Sequence, residues 1–173
     1  MTEEMRPAAQ VWAWAKDAMY REAYRILGSR ADAEDAVMDA MERIVKNERK
    51  FSGLGCNDAV ALAVIYVRNT AVDLYRDNQK RPVPAGALAE EEQLSEAAEQ
   101  IVEANDEAER MLALIRTMPP SYRDALLLRV RFDYTPAEIA AVLNIGNGTV
   151  RTRLSRAKTW LKKHMENRKE NPE

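Results

Sequence analysis

The stretch of sequence that decides the fold runs from Thr135 to Lys163 and reads TPAEIAAVLNIGNGTVRTRLSRAKTWLKK. Thr135 can cap a first helix, and Pro136 suits the first helical position because its missing amide needs no partner there. Glu138 stands where a capping box places its acid. The following residues place Ile, Ala, Val and Leu at helical spacing, so the pattern predicts a short amphipathic helix.

A tight turn and a second helix follow within the same stretch. Asn144 and Gly146 tolerate the left-handed backbone that a sharp turn needs, and Asn147 can then cap the second helix. One face of that helix is apolar: Val150, Leu154, Ala157 and Leu161. The opposite face and its flanks are polar or basic: Arg151, Thr152, Ser155, Arg156, Thr159, Lys162 and Lys163.

Together these features predict a helix-turn-helix motif whose second helix presents guanidinium and hydroxyl groups to the edges of base pairs. The alternative is an ordinary helical hairpin with a solvated basic face, because basic amphipathic helices are common. Charge alone does not separate the two interpretations. The capping box, the turn residues and the basic second helix stand in one register, which favours DNA binding.

The composition of the 173-residue chain indicates an all-α protein with one domain or two small ones. Helix-forming residues dominate, while glycine, aromatic residues and strand-like alternation are scarce. The formal net charge of −2 argues against indiscriminate binding to polyanions. The uneven placement of charge along the chain is therefore more informative than its sum.

The sequence also predicts the compartment. Cys56 is the single cysteine and cannot form an internal disulfide, which suits a reducing environment. The first ten residues, MTEEMRPAAQ, lack the apolar core of a signal peptide. The longest uncharged apolar run, Ala59–Val67, is too short to span a bilayer. We therefore expect a soluble, cytoplasmic protein without membrane insertion.

Helical periodicity in the N-terminal half predicts three helices, at about Gln10–Leu27, Asp32–Lys46 and Asp58–Lys80. Trp12 and Trp14 are expected to pack on a neighbouring helix. The segment between the second and third helices, NERKFSGLGCN, reads as a loop. The first half of the third helix is apolar all round and is expected to be buried, whereas its second half becomes polar and basic.

An acidic stretch without Lys or Arg, Ala87–Glu109, separates this half from the C-terminal one. It follows two helix-breaking prolines and reads as a flexible linker. In the C-terminal half, two further helices precede the helix-turn-helix, and the residues from about Asn167 are expected to fray. The sequence thus predicts a first helical domain, a linker and a second helical domain: 8–82, 83–107 and 108–166.

Several segments, in this order, resemble a known family: Arg25–Val37 (RILGSRADAEDAV), Val67–Arg76 (VRNTAVDLYR), Met118–Val130 (MPPSYRDALLLRV) and Thr135–Leu161. The chain resembles bacterial sigma-70 family RNA polymerase sigma factors of the minimal, extracytoplasmic-function (ECF) type. Such factors have two helical domains, called region 2 and region 4, joined by a variable linker. Independent matches in the right order are hard to obtain by chance.

The resemblance implies that region 2 docks on core RNA polymerase and acts on the promoter −10 element. Asp35, Asp39 and Glu42 match the acidic surface that binds the clamp helices of the largest polymerase subunit. Phe51 and Asn69 match the parts that open the −10 element and capture a flipped base, as pocket wall and as base-edge contact. The cations expected to follow phosphates are Arg68, Arg76, Lys80 and Arg81.

The resemblance implies that region 4 reads the −35 element in the major groove. The residues that match its DNA contacts are Arg151, Thr152, Ser155 and Arg156, with Thr149 and the helix N-terminus on a phosphate. Region 4 would also contact the flap of the second-largest polymerase subunit, and an anti-sigma factor is an implied partner. The chain departs from the family pattern at Met38, where Gln is common, at Asp58–Leu62, where aromatics are common, and at Asn144, where glycine is common.

These features predict a dissociable transcription-initiation factor that binds core polymerase, directs it to promoters and helps to open the duplex. Binding energy would drive opening, so we expect no enzymatic activity, no catalytic residue, no metal and no cofactor. The single histidine, His164, is interpreted as solvated. Two alternatives stay open: a helix-turn-helix regulator that binds duplex DNA as a dimer, which gives Asp32–Arg81 no role, and an all-α adaptor protein.

Overall fold

The computed structural model describes residues 5–79 and 107–170, and every regular element within those ranges is helical. The prediction of an all-α fold is therefore confirmed. The chain divides into two compact units, Met1–Val83 and Pro84–Glu173. Each unit has buried apolar side chains of its own.

The N-terminal unit is a bundle of three long helices, each of which packs on the other two. They are α1 (Pro7–Leu27), α2 (Arg30–Lys46) and α3 (Cys56–Gln79), with a short 3₁₀ helix at Glu48–Lys50 before α3. Alanines line much of the shared interior and let the helices approach closely, because helix spacing depends on the side chains at the contact. The interior includes Ala15, Met19, Ala23, Ala36, Ala40, Ile44, Leu62, Ala63, Tyr66 and Val67.

The helices in this unit begin earlier than the periodicity predicted. In α1 and α2, residues that favour helix N-termini explain the earlier start. α1 begins at Pro7, where proline occupies the first helical turn. The Ser29 hydroxyl accepts a hydrogen bond from the Asp32 amide at 3.3 Å, and α2 therefore begins at Arg30. Gly28 ends α1 in the left-handed conformation, with φ of 65°.

Two predictions about burial in this unit are wrong. Trp12 and Trp14 are 41% and 42% exposed rather than packed on a neighbouring helix. They fall on either side of the buried stripe of α1 and therefore do not point into the bundle. The first half of α3 is not buried all round either, since Ala61 is exposed. The buried stripe of α1 consists of Ala8, Val11, Ala15, Met19 and Ala23.

The C-terminal unit contains α4 (Glu107–Arg116), α5 (Pro120–Val130), α6 (Pro136–Leu143) and α7 (Asn147–Glu170). Helices α5, α6 and α7 pack on one another, and α4 packs on α5. The predicted helix-turn-helix corresponds to α6 and α7. Helix α7 continues past the point at which fraying was expected. One core cluster contains Ile115, Met118, Leu126 and Ala157, with Leu154, Trp160 and Leu161 packed against it.

Candidate nucleic-acid interface

Helix α6 is fixed at its start by the capping box that the sequence predicted. The Thr135 hydroxyl accepts a hydrogen bond from the Glu138 amide at 3.2 Å. In return, the Glu138 carboxylate accepts a hydrogen bond from the Thr135 amide at 2.8 Å. Both amides would otherwise lack an intrahelical partner, so the box defines where α6 begins.

The turn between α6 and α7 depends on one residue in the left-handed conformation. Asn144 has φ of 51° and ψ of 50° and donates its amide to the Ala140 carbonyl. Asparagine adopts this conformation more readily than most residues, which explains how it can stand where glycine is common. Asn147 was expected to cap α7 but is its first helical residue, and the Gly146 carbonyl accepts a hydrogen bond from the Val150 amide at 3.1 Å.

Helix α7 separates a buried face from a broad exposed face. Val150 and Ala157 are fully buried against the rest of the unit. The residues predicted to read the −35 element occupy the arc on the other side of the helix. All of them are exposed: Thr149, Arg151, Thr152, Ser155 and Arg156.

Two hydroxyl groups on α7 donate their protons to the helix backbone. Thr152 Oγ1 donates to the Gly148 carbonyl at 3.0 Å, and Thr159 Oγ1 donates to the Ser155 carbonyl at 3.1 Å. A hydroxyl that donates in this way keeps acceptor lone pairs. Thr152 can therefore offer an acceptor and a methyl group to a base pair, while Arg151 and Arg156 offer donors.

The candidate −10 residues on the N-terminal unit are far less exposed. Phe51 is 3% exposed, and its ring centroid lies 5.6 Å from that of the fully buried Tyr66. Asn69 is half-buried and donates its side-chain amide to the Ile65 carbonyl at 2.8 Å. Arg76 is exposed near the end of α3. The two remaining cations predicted for this element, Lys80 and Arg81, lie outside the described residues.

Arg68 contacts a carboxylate of its own unit, whereas the sequence predicted that it follows DNA phosphates. Its Nε lies 2.7 Å from Glu22 Oε1 on α1, and both side chains are 14% exposed. Arg25 contacts the same carboxylate oxygen at 3.0 Å. Burial alone would raise the pKa of Glu22, but Arg68 and Arg25 together lower this pKa to about 2. Arg68 therefore joins α1 to α3.

A second set of contacts joins α2 to α3 immediately beside Asn69. Arg43 donates a hydrogen bond to Thr70 Oγ1 at 3.4 Å, and its guanidinium carbon lies 5.7 Å from the ring centroid of Tyr66. Thr70 Oγ1 in turn donates to the Tyr66 carbonyl at 2.9 Å. Asn69 thus lies between two residues, Arg68 and Thr70, that contact different helices.

Sequence reasoning missed Glu22, Arg25 and Arg43. The spacing of Glu22 and Arg25 permits a helical ion pair and was a visible signal. The contact of Glu22 with Arg68 joins residues far apart in the chain, and no local pattern indicates it. The contact between Arg43 and Thr70 is hidden for the same reason.

The outward face of α2 combines acids with apolar side chains. The three predicted docking acids are all exposed: Asp35, Asp39 and Glu42. Met38 is 63% exposed and Val45 is 47% exposed at positions seven residues apart, so they share this face. Glu42 also pairs with Lys46 at 3.0 Å, a solvent-exposed contact that contributes little free energy. The face is therefore both acidic and apolar.

The interpretation of His164 as simply solvated is wrong. The residue is half-buried, and its ring stacks on Trp160 with centroids 3.7 Å apart and planes at 16°. Its Nδ1 lies 2.9 Å from the Trp160 carbonyl. These contacts occur within α7 and stabilise the helix after the candidate DNA-reading arc.

Within residues 5–79 and 107–170, no group of three or more His, Cys, Asp or Glu side chains could hold a metal ion. In the same part of the chain, no helix has the length and apolar character needed to cross a membrane.

The fold and the exposed arc on α7 define the class of protein, a two-unit helical factor with a DNA-binding helix-turn-helix. The sequence matches the family model Sigma-70 region 2 over residues 15–81 and the model Sigma-70, region 4 over residues 108–161. The chain therefore belongs to the sigma-70 family, and its similarity to ECF RNA polymerase sigma factors places it in the ECF type.

Individual relatives agree with this assignment. The chain is 29% identical over 166 residues to the ECF RNA polymerase sigma factor SigW of Bacillus subtilis (strain 168). The aligned region covers 87% of this chain and 84% of that protein. It is 27% identical over 158 residues to the RNA polymerase sigma-E factor of Streptomyces avermitilis, and the aligned region covers 88% of this chain and 82% of that protein.

A solved structure also resembles the chain. It belongs to the co-crystal structure of the sigma factor RpoE in complex with the anti-sigma factor NepR from Bartonella quintana, with 15% identity and a TM-score of 0.40. The match covers 94% of this chain and 98% of that chain. At that TM-score the likeness decides nothing about the partners of this chain.

The protein is a sigma factor, and its partners are core RNA polymerase and promoter DNA. A stand-alone helix-turn-helix regulator is not favoured, because residues 15–81 match a second sigma region that such a regulator would not need.

Proposed function

We propose that this sigma factor places α7 in the major groove of the −35 element and α3 against the −10 element, while α2 docks on core polymerase. The observation that supports this most directly is the exposed arc of α7. Its candidate side chains stand opposite the fully buried Val150 and Ala157, so the helix is fixed by one face and displays the other. A recognition helix requires this arrangement.

At the −35 element, the side chains of α7 have complementary chemistry. Arg151 and Arg156 can each donate two hydrogen bonds to a guanine edge or contact phosphates. Thr152 accepts from an exocyclic amine or contacts a thymine methyl group. Thr149 lies in the first turn of α7, where amides and the helix dipole favour a phosphate.

At the −10 element, Asn69 binds a base edge of the displaced strand. Phe51 is buried against Tyr66, which supports a role beneath the base pocket rather than as an exposed wall. Arg76 follows the phosphates, and Lys80 and Arg81 stay predictions from the sequence. Because captured bases leave the stack, the pocket must be shaped before they arrive.

Core polymerase binding uses the outward face of α2. Asp35, Asp39 and Glu42 meet cations on the clamp helices, and Met38 and Val45 add apolar area that the free protein leaves exposed. Contact with the flap, restraint by an anti-sigma factor and a cytoplasmic location are further parts of this proposal. Opening of the duplex draws on binding energy, without a covalent step.

The test is run-off transcription with purified core polymerase on a promoter library. The wild-type protein is expected to co-purify with core and to give promoter-specific transcripts. Absence of both results would contradict the proposal, and a dimer that shifts duplex DNA without polymerase would favour the regulator. The free protein is expected to bind promoter DNA poorly, because its net charge is negative and each unit contributes few phosphate contacts.

A variant separates the −10 role from folding and docking. Asn69→Ala removes a half-buried amide that contacts its own helix, so the bundle and the α2 face are expected to persist. Core binding stays at the wild-type level, while open-complex formation, measured by permanganate reactivity of unpaired thymines, falls. Normal opening by this variant would exclude Asn69 from the base pocket.

A further inference from the structure

Three consecutive residues of α3 are fixed by three different contacts. Arg68 is bound to Glu22 on α1 at 2.7 Å, and Thr70 accepts a hydrogen bond from Arg43 on α2 at 3.4 Å. Asn69, between them, is bound to the backbone of its own helix at 2.8 Å. The candidate base-reading residue therefore belongs to the segment of α3 that both neighbouring helices contact.

The contact with Glu22 is the shortest of the three and is shielded from solvent. Both side chains of the Glu22–Arg68 pair are 14% exposed, and Arg25 adds a second guanidinium at 3.0 Å. Charge-assisted hydrogen bonds of this length are the strong ones, and partial burial limits their screening by salt. The neighbouring helix α2 provides a contrast, since its Arg30–Glu34 pair is 82% and 57% exposed.

Arg68 and Asn69 leave α3 in fixed relative directions, because successive residues of a helix are rotated by a constant angle. A constraint on the Arg68 side chain from α1 therefore also sets the direction in which Asn69 leaves the helix. Recognition sites tolerate displacements of only about 0.5 Å and rotations of about 10–20° in their contacting groups. Small changes in the orientation of α3 are thus expected to affect base recognition before they unfold the bundle.

We propose that Glu22 is a positioning residue for −10 recognition, which holds Arg68 and thereby the face of α3 that presents Asn69 to a captured base. The inference rests on the proposed function of α3. Glu22 acts through Arg68 and does not contact DNA, since phosphates repel its carboxylate. Its role is to form the base-reading face before the strand arrives.

The experiment uses holoenzyme reconstituted from core polymerase and full-length protein. A −10 sequence is first selected from a random promoter library with the wild-type holoenzyme. Fluorescent single-stranded oligonucleotides then carry the selected non-template sequence or single-base changes in it. The measured quantity is the ratio of dissociation constants for mismatched and matched oligonucleotides. Glu22→Gln keeps the shape and removes the charge, and it is expected to lower this ratio about tenfold, within the range that one base contact provides.

Two further variants make the test specific. Glu34→Gln is the matched control, because it removes the same charge from another Arg-paired glutamate, whose partner Arg30 lies on the same helix and whose side chain is solvent-exposed. It is expected to keep the wild-type ratio. Glu22→Asp keeps the charge with a shorter reach and is expected to recover part of the ratio. If Glu22→Gln fails to fold, a folded Glu22→Asp with the wild-type ratio overturns the proposal.

Each other outcome also decides the question. A wild-type ratio in Glu22→Gln, with a lowered melting temperature, would make the ion pair purely structural and overturn the inference. Tighter binding of both oligonucleotides with a steeper salt dependence would overturn it as well, because Arg68 would then have been released to phosphates. A wild-type holoenzyme that prefers no −10 sequence would refute the proposed function itself, a result distinguishable from failure of the Glu22 variant alone.

Discussion

The two helices proposed to face the promoter, α3 and α7, differ in how their candidate side chains are fixed. On α7 these side chains are exposed, and the buried residues that orient them, such as Val150 and Ala157, lie on the opposite face. On α3, Arg68 and Asn69 are half-buried and bonded within their own unit. We therefore expect the proposed −35 contacts to change one at a time, and the proposed −10 contacts to depend on the packing of the bundle.

The difference agrees with the role proposed for each helix. A closed duplex displays its base edges in the major groove, so projecting side chains on a rigid helix suffice. A base that has left the stack must enter a shaped pocket, and the walls of a pocket are packed side chains. In this protein the Glu22–Arg68 pair and the contacts of Arg43 with Thr70 and Tyr66 hold the segment of α3 that contains Asn69, the residue proposed to bind such a base.

The largest expected effects come from removing one buried tyrosine in each unit. Tyr66 is fully buried and Tyr134 is 1% exposed. Replacing either with Ala is expected to cost about 4 kcal/mol of folding free energy, since a large aromatic core side chain leaves a cavity. Tyr66→Ala is expected to abolish −10 recognition, and Tyr134→Ala to abolish −35 recognition. Denaturant unfolding with hydrogen exchange resolved by residue measures which unit is destabilised.

The control for this pair is Tyr24→Ala, because Tyr24 is 48% exposed on α1. It loses a stacking contact with Tyr20, whose ring centroid lies 6.1 Å away, and is expected to cost less than about 1 kcal/mol. Equal destabilisation of both units by Tyr66→Ala would contradict this contrast, since it would show that the two units do not have independent cores.

The second prediction concerns the pH dependence of the ion pair under α3. The folded-state pKa of Glu22 is lowered from 4.5 to about 2, so the pair stabilises the fold above about pH 4.5. This stabilisation is lost as the pH falls through about 2. A shift of this size corresponds to at most about 3 kcal/mol. The stability difference between wild type and Glu22→Gln is expected to be constant from pH 7 to about 5 and to shrink below that.

Urea unfolding at a series of pH values measures this difference directly. Glu34→Gln serves again as the control, because its exposed pair with Arg30 is screened by solvent and is expected to contribute little to stability at any pH. A difference between wild type and Glu22→Gln that persists unchanged to pH 2 would mean that the carboxylate charge does not stabilise the bundle.

The third prediction tests the exposed helix. Arg156→Ala is expected to cost about 1–3 kcal/mol of discrimination at a single −35 position, if the guanidinium makes a bidentate base contact. The measurement is the affinity of holoenzyme for a set of −35 variants in fixed salt. Lys158→Ala, an exposed cation on the same helix, is the control and is expected to change all variants alike. A uniform loss for Arg156→Ala would make it a phosphate contact.

The contrast between the helices also explains what the sequence could predict. The helix-turn-helix was predictable because its determinants are local: the Thr135–Glu138 capping box, left-handed Asn144 and a period of 3.6 residues. The surroundings of Asn69 were not, because Glu22 and Arg43 reach α3 through tertiary packing. The positions of site residues on α7 therefore follow from spacing, whereas those on α3 require coordinates.

The type of a side chain, without its position in the fold, did not predict whether it is buried. Trp12 and Trp14 were expected to pack on a neighbouring helix, but a stripe of mainly small residues on α1 faces the bundle instead. Phe51 stands in a segment that reads as a loop, yet the 3₁₀ turn at Glu48–Lys50 directs it inward against Tyr66. In both segments the direction in which the local backbone points the side chain determined whether it is buried.

The smallest predicted effect separates stability from recognition within region 4. Thr135→Ala removes the hydroxyl that caps α6 and is expected to cost about 1 kcal/mol of folding free energy. Thr159→Ala is the matched control, because its hydroxyl bonds within α7 and alanine is the better helix former, so stability stays equal or rises slightly. Thermal unfolding measures both variants.

Below its melting temperature, Thr135→Ala is expected to keep wild-type discrimination among −35 sequences, because the reading side chains belong to α7 and project from its exposed face. That result would contrast with Glu22→Gln, for which discrimination falls in a protein that is still folded. A loss of −35 discrimination in folded Thr135→Ala would show that α7, like α3, depends on distant contacts for its orientation, and the distinction between the two helices would then be one of degree.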